Sequence, residues 1–147
     1  MATGLDRDFQ GVPFSCSIPI ERALDPTNEV ILAWDLNDKT LPVDHGYPLR
    51  LVVPGFIGVR NCKWVTKLEI SDEEATSVMQ RRDYKIVKEK DWSKINLDDY
   101  PSLMGNVSYS CIASPEDGQE VTAENGFVTL KGYAVGDGAK GNHIKAV

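Results

Sequence analysis

The stretch Asp44-His45-Gly46-Tyr47-Pro48-Leu49-Arg50-Leu51-Val52-Val53-Pro54-Gly55, followed by Gly58-Val59-Arg60-Asn61-Cys62-Lys63-Trp64, limits what this chain can fold into more than any other. Gly and Pro punctuate both sides of the apolar run Leu49 to Val53, so the run reads as a short buried strand between two turns and not as a helix. The same frame carries one histidine, two arginines and a lysine. Arginine offers a planar fork of donors, lysine a compact cation and histidine a neutral or charged donor, while glycine lets backbone amides come close to a phosphate. His45 and Arg50 bracket a loop and a strand start, from which both can reach one pyrophosphate. The residues alone leave another reading open, in which His45 is a hydrogen-bonded loop histidine, Arg50 a surface strand residue and Lys63 a solvated charge beside a core aromatic.

Upstream, Ser17 is placed to cap a short helix over Ile18 to Leu24, with Pro19 in its first turn and Asp25-Pro26 ending it. Glu29 to Leu36 reads as a strand, Asn37-Asp38-Lys39 as a turn and Thr40 to Val43 as the returning arm of a hairpin. From Cys62 to Ile70, Trp64, Thr66, Leu68 and Ile70 alternate with Val65, Lys67 and Glu69, which predicts a strand with one buried face. Asp72 to Met79 can form a short helix. Lys85 to Pro101 is polar and reads as an extended connection anchored by Trp92, Ile95, Leu97 and Tyr100. Beyond it come strands at Val107 to Ala113, around Val121 and at Phe127 to Ala134, with turns at Ser114 to Gly118 and Asn125-Gly126. Regular short strands of this kind are the pattern of an immunoglobulin-like sandwich.

Composition narrows the partners. A net charge of -6 argues against nucleic acid, whose binding needs a basic surface to displace counterions. No run of eighteen apolar residues is present, so nothing is expected to span a membrane. Cys16, Cys62 and Cys111 are widely spaced, without a CxxC pair or zinc spacing, and read as reduced, buried structural thiols of an intracellular protein. The amino end has no signal peptide, and the chain stops at Ile144 to Val147 in what reads as the middle of a strand. His143 lies in that last strand with no partner.

The Asp44-to-Trp64 motif resembles the molybdenum-cofactor domain of eukaryotic sulfite oxidases, closest in wording to the plant-type members. Ser17-Ile18-Pro19-Ile20, Ala23-Leu24-Asp25-Pro26, Glu29 to Trp34 and Gln80-Arg81-Arg82-Asp83-Tyr84-Lys85 fall in that family's order. Val128 to Ala134 looks like an early strand of the dimerisation domain that follows. The resemblance implies an α+β fold: a partial, mostly β molybdopterin-binding domain over 1–103, then the first strands of an immunoglobulin-like dimerisation domain over 104–147. It implies Mo-molybdopterin as cofactor, sulfite as substrate, a homodimer, and a mitochondrial or peroxisomal location in the intact enzyme. By residue-wise carry-over, Asp6, His45, Arg50, Asn61, Cys62 and Lys63 contact the cofactor, and Tyr84 stands at the reacting centre. Arg60, Arg81 and Arg82 are further candidates for a positive funnel toward an oxyanion. The family's molybdenum-ligating cysteine lies in an upstream motif that this chain does not contain, so no metal ligand is assigned here and the chain is expected to be a fragment inactive by itself. The alternatives are a non-catalytic anion-binding or interaction module and a nitrate-reducing relative.

Overall fold

The computed structural model describes residues 1–137. Strand β1 (Ala2–Arg7) is the centre of a three-stranded antiparallel sheet, flanked by β2 (Pro13–Cys16) and β7 (Val65–Leu68). Asp8 turns β1 into β2, because its Oδ1 accepts the N–H groups of both Gln10 and Val12 at 2.9 Å. Ala2 stands opposite Cys16 on one side and Leu68 on the other. A second antiparallel pair, β3 (Ile31–Ala33) with β6 (Arg50–Val52), aligns Leu32 with Leu51. The two sheets share one core of Ala2, Cys16, Leu51, Val53 and Cys62, with Phe14, Ile18, Val30, Leu32, Phe56 and Val65 packed around it. The buried strand expected at Leu49 to Val53 is there, with Leu51 and Val53 inside. The architecture is mixed and mostly strand, since among the described residues the α-helices are only α1 (Ile20–Leu24) and α2 (Val78–Arg81).

Several local expectations give way to tertiary demands. Ser17 does not cap a helix: its Oγ accepts the N–H of Ala75 at 2.7 Å, and α1 begins after Pro19 with no side-chain cap. The same contact, with the Ser77 hydroxyl donating to the Ser15 carbonyl, keeps 72–77 out of helix and leaves only α2. The single strand expected over Glu29 to Leu36 is divided. Glu29 is left-handed at φ 52, β3 starts at Ile31, and after Trp34 the short strand β4 (Asp35–Leu36) pairs instead with β5 (Lys39–Thr40). The turn between them has φ 51 at Asn37 and φ 61 at Asp38, the doubly positive geometry that suits a tight hairpin. The returning arm ends at Thr40, because Val43–His45 winds into a 3-10 turn.

Strand β7 is shorter than expected and its Leu68 side is open, with Val65 being the residue that reaches the core. Among the anchors expected in the connection, Ile95, Leu97 and Tyr100 are half-buried, but Trp92 is 74% exposed and holds nothing. This segment instead forms two 3-10 turns, Trp92–Lys94 and Leu97–Asp99, in which the Ser93 and Asp98 N–H groups donate to the side chains of Asp91 and Asn96. Beyond it, β8 (Tyr109–Ser114) pairs antiparallel with β9 (Lys131–Val135). The Asn125-Gly126 turn forms, with a bridge between Glu124 and Phe127, whereas the residues around Val121 make no strand. His143 and the terminal Ile144 to Val147 lie outside the described residues.

Candidate anion and cofactor site

The loop before β6 is built so that cations face its carbonyls. The 3-10 turn Val43–His45 closes on Gly46, whose φ of 111 is costly for any residue with a side chain. Space forbids one too, since a Cβ there would lie 2.9 Å from Lys63 Cβ. Segment 63–64 is thereby pressed against the loop. Lys63 Nζ donates to the Asp44 carbonyl at 3.0 Å and lies 4.2 Å from the Trp64 ring centroid. Trp64 Nε1 donates to the Val43 carbonyl at 2.8 Å, and the Trp64 N–H to the Gly46 carbonyl at 3.2 Å. From β6, Arg50 Nη1 donates to the His45 carbonyl at 3.2 Å, while the His45 side chain is exposed. The backbone N–H of Leu5 donates to the Trp64 carbonyl at 2.9 Å, which brings β1 alongside. There the Asp6 carboxylate folds back over Gly4, beside the Lys63 carbonyl and Cys62 Sγ, in the space a Cβ at Gly4 would need.

Five of the residues singled out from the sequence therefore gather at one edge: Asp6, His45, Arg50, Cys62 by its backbone, and Lys63. Asn61 serves the adjoining turn, its Oδ1 accepting the Val53 N–H at 2.7 Å and its Nδ2 donating to the Ile57 carbonyl at 3.1 Å. The Cys62 thiol is 0% exposed and part of the core, with its Sγ 3.5 Å from the Lys63 carbonyl. Tyr84 belongs to another neighbourhood. Its carbonyl accepts the Leu103 N–H at 2.8 Å, and its phenol lies within electrostatic reach of Arg60.

Arg60 is no part of a funnel. It is 0% exposed, donating from Nε to the Leu103 carbonyl at 3.0 Å and from Nη1 to the Met79 carbonyl at 3.2 Å and Gln80 Oε1 at 2.6 Å. Desolvation lowers its pKa, and Cys16, Glu74 and Tyr84 work against that drop. This network was missed in the sequence, because a single arginine in a loop looks like a solvated charge; the signal was its place between the apolar Ile57 and the buried Cys62. Arg81 and Arg82 are exposed as expected.

Chemically, the edge suits a phosphate-bearing ligand. Arg50 Nε is buried with no hydrogen-bond partner, an unused donor beside two donors now spent on carbonyls. An anion offers Arg50 and Lys63 charge-assisted bonds that are stronger than those to carbonyls. Among the described residues no group of three or more His, Cys, Asp or Glu could hold a metal ion, and no helix is long and apolar enough to cross a membrane.

Comparison with known proteins identifies the family. The sequence profile of the oxidoreductase molybdopterin binding domain matches residues 1–79. The chain is 44% identical over 138 residues to the mitochondrial sulfite oxidase of Homo sapiens, covering 93% of this chain and 25% of that protein. It is 38% identical over 136 residues to the sulfite oxidase of Arabidopsis thaliana, covering 92% of this chain and 34% of that one. Among solved structures it is similar to the sulfane dehydrogenase SoxCD of Paracoccus pantotrophus, with a TM-score of 0.58, 30% identity, and coverage of 78% of this chain and 26% of that one. The chain thus spans between a quarter and about a third of the length of these relatives.

Proposed function

This chain belongs to the oxidoreductase molybdopterin binding domain family, and from that premise we propose that it is the phosphate-holding side of a sulfite-oxidising enzyme's cofactor site. The observation that carries the reading is the convergence of Arg50, Lys63 and His45 on one loop, with Arg50 Nε buried and unpartnered. In this reading Arg50 and Lys63 exchange carbonyl oxygens for phosphate oxygens, His45 adds a donor from the loop, and the Asp6 carboxylate accepts N–H groups of the pterin. The backbone of Asn61 and Cys62 completes the wall. Bound Mo-molybdopterin supplies the two-electron redox chemistry that takes sulfite to sulfate. Tyr84 is assigned to the substrate oxyanion, donating a hydrogen bond from its phenol.

The same reading divides the chain at 103/104 between the cofactor domain and the start of a dimerisation domain, with a homodimer as the working assembly. It places the enzyme in mitochondria or peroxisomes.

The test uses the intact protein. Arg50→Ala and Lys63→Ala each remove a charge-assisted bond of about 1.5–3 kcal/mol, so cofactor retained after dialysis should fall by about tenfold or more. Unchanged pterin content in both variants would overturn the cradle. Tyr84→Phe should keep the cofactor and lower kcat/KM for sulfite by about ten- to a hundredfold. Equal rates would remove Tyr84 from the site, and turnover of nitrate instead of sulfite would overturn the substrate.

A further inference from the structure

Tyr84, to which the proposed reaction assigns the oxyanion, is 38% exposed, so packing alone does not fix where its phenol stands. Its backbone is held instead. The Leu103 N–H donates to the Tyr84 carbonyl at 2.8 Å, and next to it Lys85 bridges to Ser102 in antiparallel register. Upstream, the Asp83 N–H donates to the Val78 carbonyl at 3.0 Å, which hangs Tyr84 from the end of α2. Tyr84 thus has two supports, the end of α2 before it and the segment around Leu103 across from it.

Both supports lead to Arg60. Its Nε donates to the carbonyl of Leu103, the residue whose N–H holds Tyr84, and its Nη1 donates to the Met79 carbonyl and Gln80 Oε1 on α2. The Ser102 hydroxyl also joins the supports, donating to the Gln80 carbonyl at 2.8 Å. Arg60 ends the 3-10 turn Gly58–Arg60, directly before Asn61, Cys62 and Lys63 of the cofactor edge. At the start of that turn the Ile57 N–H donates to the Met104 carbonyl at 2.7 Å. A guanidinium is a poor choice here for stability alone. It is 0% exposed with Nη2 buried and unpartnered, and an apolar side chain of similar size often stabilises a core as well as a buried charge does. What the planar fork adds is geometry, since its donors lie at a fixed separation and angle.

We propose that Arg60 is a positioning residue, which fixes Tyr84 relative to the phosphate-holding edge by gripping the segment before Tyr84 with one arm of its guanidinium and the segment across from it with the other. The proposal rests on the reading of Tyr84 as the oxyanion donor. The path is short: two hydrogen bonds, Arg60 to Leu103 and Leu103 to Tyr84, join the turn that leads into Lys63 to the backbone that carries the phenol. Arg60 is buried and acts through Tyr84. A misplacement of about 1 Å at a reacting group can cost about a hundredfold in rate, so slack in this path shows in turnover before it shows in cofactor binding.

The test uses the intact, cofactor-loaded enzyme and two variants, Arg60→Lys, which keeps the charge but replaces the fork by a single point of donation, and Arg60→Gln. Pterin content should stay at the wild-type level, because Arg50 and Lys63 keep their places. Hydrogen–deuterium exchange of the Leu103 amide, which bonds to Tyr84, should quicken by about tenfold, while the Leu51 amide, bonded to the Cys62 carbonyl, keeps its rate. The kcat/KM for sulfite should fall by about ten- to a hundredfold. A double-mutant cycle separates positioning from general loosening: in a Tyr84→Phe background Arg60→Lys should lower kcat/KM no further than about twofold, because the hydroxyl it places is gone. A further loss there as large as in the wild type would make Arg60 merely structural and overturn the proposal, as would wild-type kcat/KM in Arg60→Lys, or loss of folded protein or cofactor in both variants. If Tyr84→Phe itself runs at the wild-type rate, the oxyanion reading fails and the exchange decides on Arg60 separately: an unchanged Leu103 rate means that Arg60 does not hold Tyr84.

Discussion

The sheets around β1 and the β8–β9 hairpin are both antiparallel, yet they are held by different forces. Among the described residues the buried side chains lie between Ala2 and Gln80, and the strands there share residues that face one core. In the hairpin Ile112, Leu130 and Tyr133 are all exposed, as is Phe127 just before β9. It rests on its backbone ladder and on the edge-to-face contact of Tyr109 with Tyr133, whose centroids are 6.1 Å apart. A two-stranded pair without a buried face is marginal in water, whereas a few strands that close over shared apolar residues are not. Strand pattern alone therefore says little about stability, and the number of faces a strand buries says much more.

The sharpest way to break this comparison is at Arg60. Arg60→Ala takes the donors from the Leu103 and Met79 carbonyls and from Gln80 Oε1, and opens a void at a fully buried site. Each buried acceptor left alone costs about 1–3 kcal/mol, so a loss of about 3 kcal/mol or more is expected in denaturant unfolding of the intact protein. A loss under about 1 kcal/mol would mean that water satisfies these groups and that the core is looser than described. Next in size, Val53→Ala in the core should cost about 2 kcal/mol, and Ile112→Ala in the hairpin less than about 0.5 kcal/mol. Unfolding midpoints compare the two directly. Equal losses would show that the hairpin's apolar face is covered in solution.

How far the sequence could be read follows the same division. Leu49 to Val53, the Asn37-Asp38 turn and the Asn125-Gly126 turn were legible because each depends on neighbours in sequence: an apolar run between breakers, or residues that tolerate positive φ. The gathering of His45, Arg50 and Lys63 was legible through motif spacing. Ser17 and the 72–77 segment were misread because their polar groups are spent across the fold, Ser17 Oγ on Ala75 and the Ser77 hydroxyl on Ser15. The burial of Arg60 was invisible for a related reason: its pairings join residues 19 to 43 positions apart, and no local period records them. Trp92 failed in the opposite direction, since an aromatic residue in a polar segment suggests an anchor and this one faces solvent.

The smallest expected effect tests whether local chemistry differs between the regions or only packing does. Asp25, beside the core, and Asp91, in the connection, make the same device: each accepts the N–H and hydroxyl of the residue two places on, Thr27 or Ser93. The side-chain hydrogen bond from Thr27, then its backbone N–H, holds the Asp25 carboxyl below the usual 3.8, with Arg22 adding a little. Ser93 does the same for Asp91, helped by Lys94, whose Nζ lies 3.0 Å away. A carboxylate whose folded pKa lies below its unfolded one stabilises the fold fully above the unfolded value, and loses that contribution as pH falls through the folded one. Both turns should therefore loosen only in acid, below about pH 4, and by little, since both groups face water. Carboxyl-carbon NMR titration reads each site separately. Thr27→Val should raise the Asp25 pKa toward 3.8 and leave Asp91 alone, and Ser93→Ala should do the converse. If Asp25 titrates low and Asp91 at the ordinary value, the turn at Trp92–Lys94 does not persist in solution, and the boundary between the packed and the unpacked parts of the chain moves from the hairpin back to the connection that precedes it.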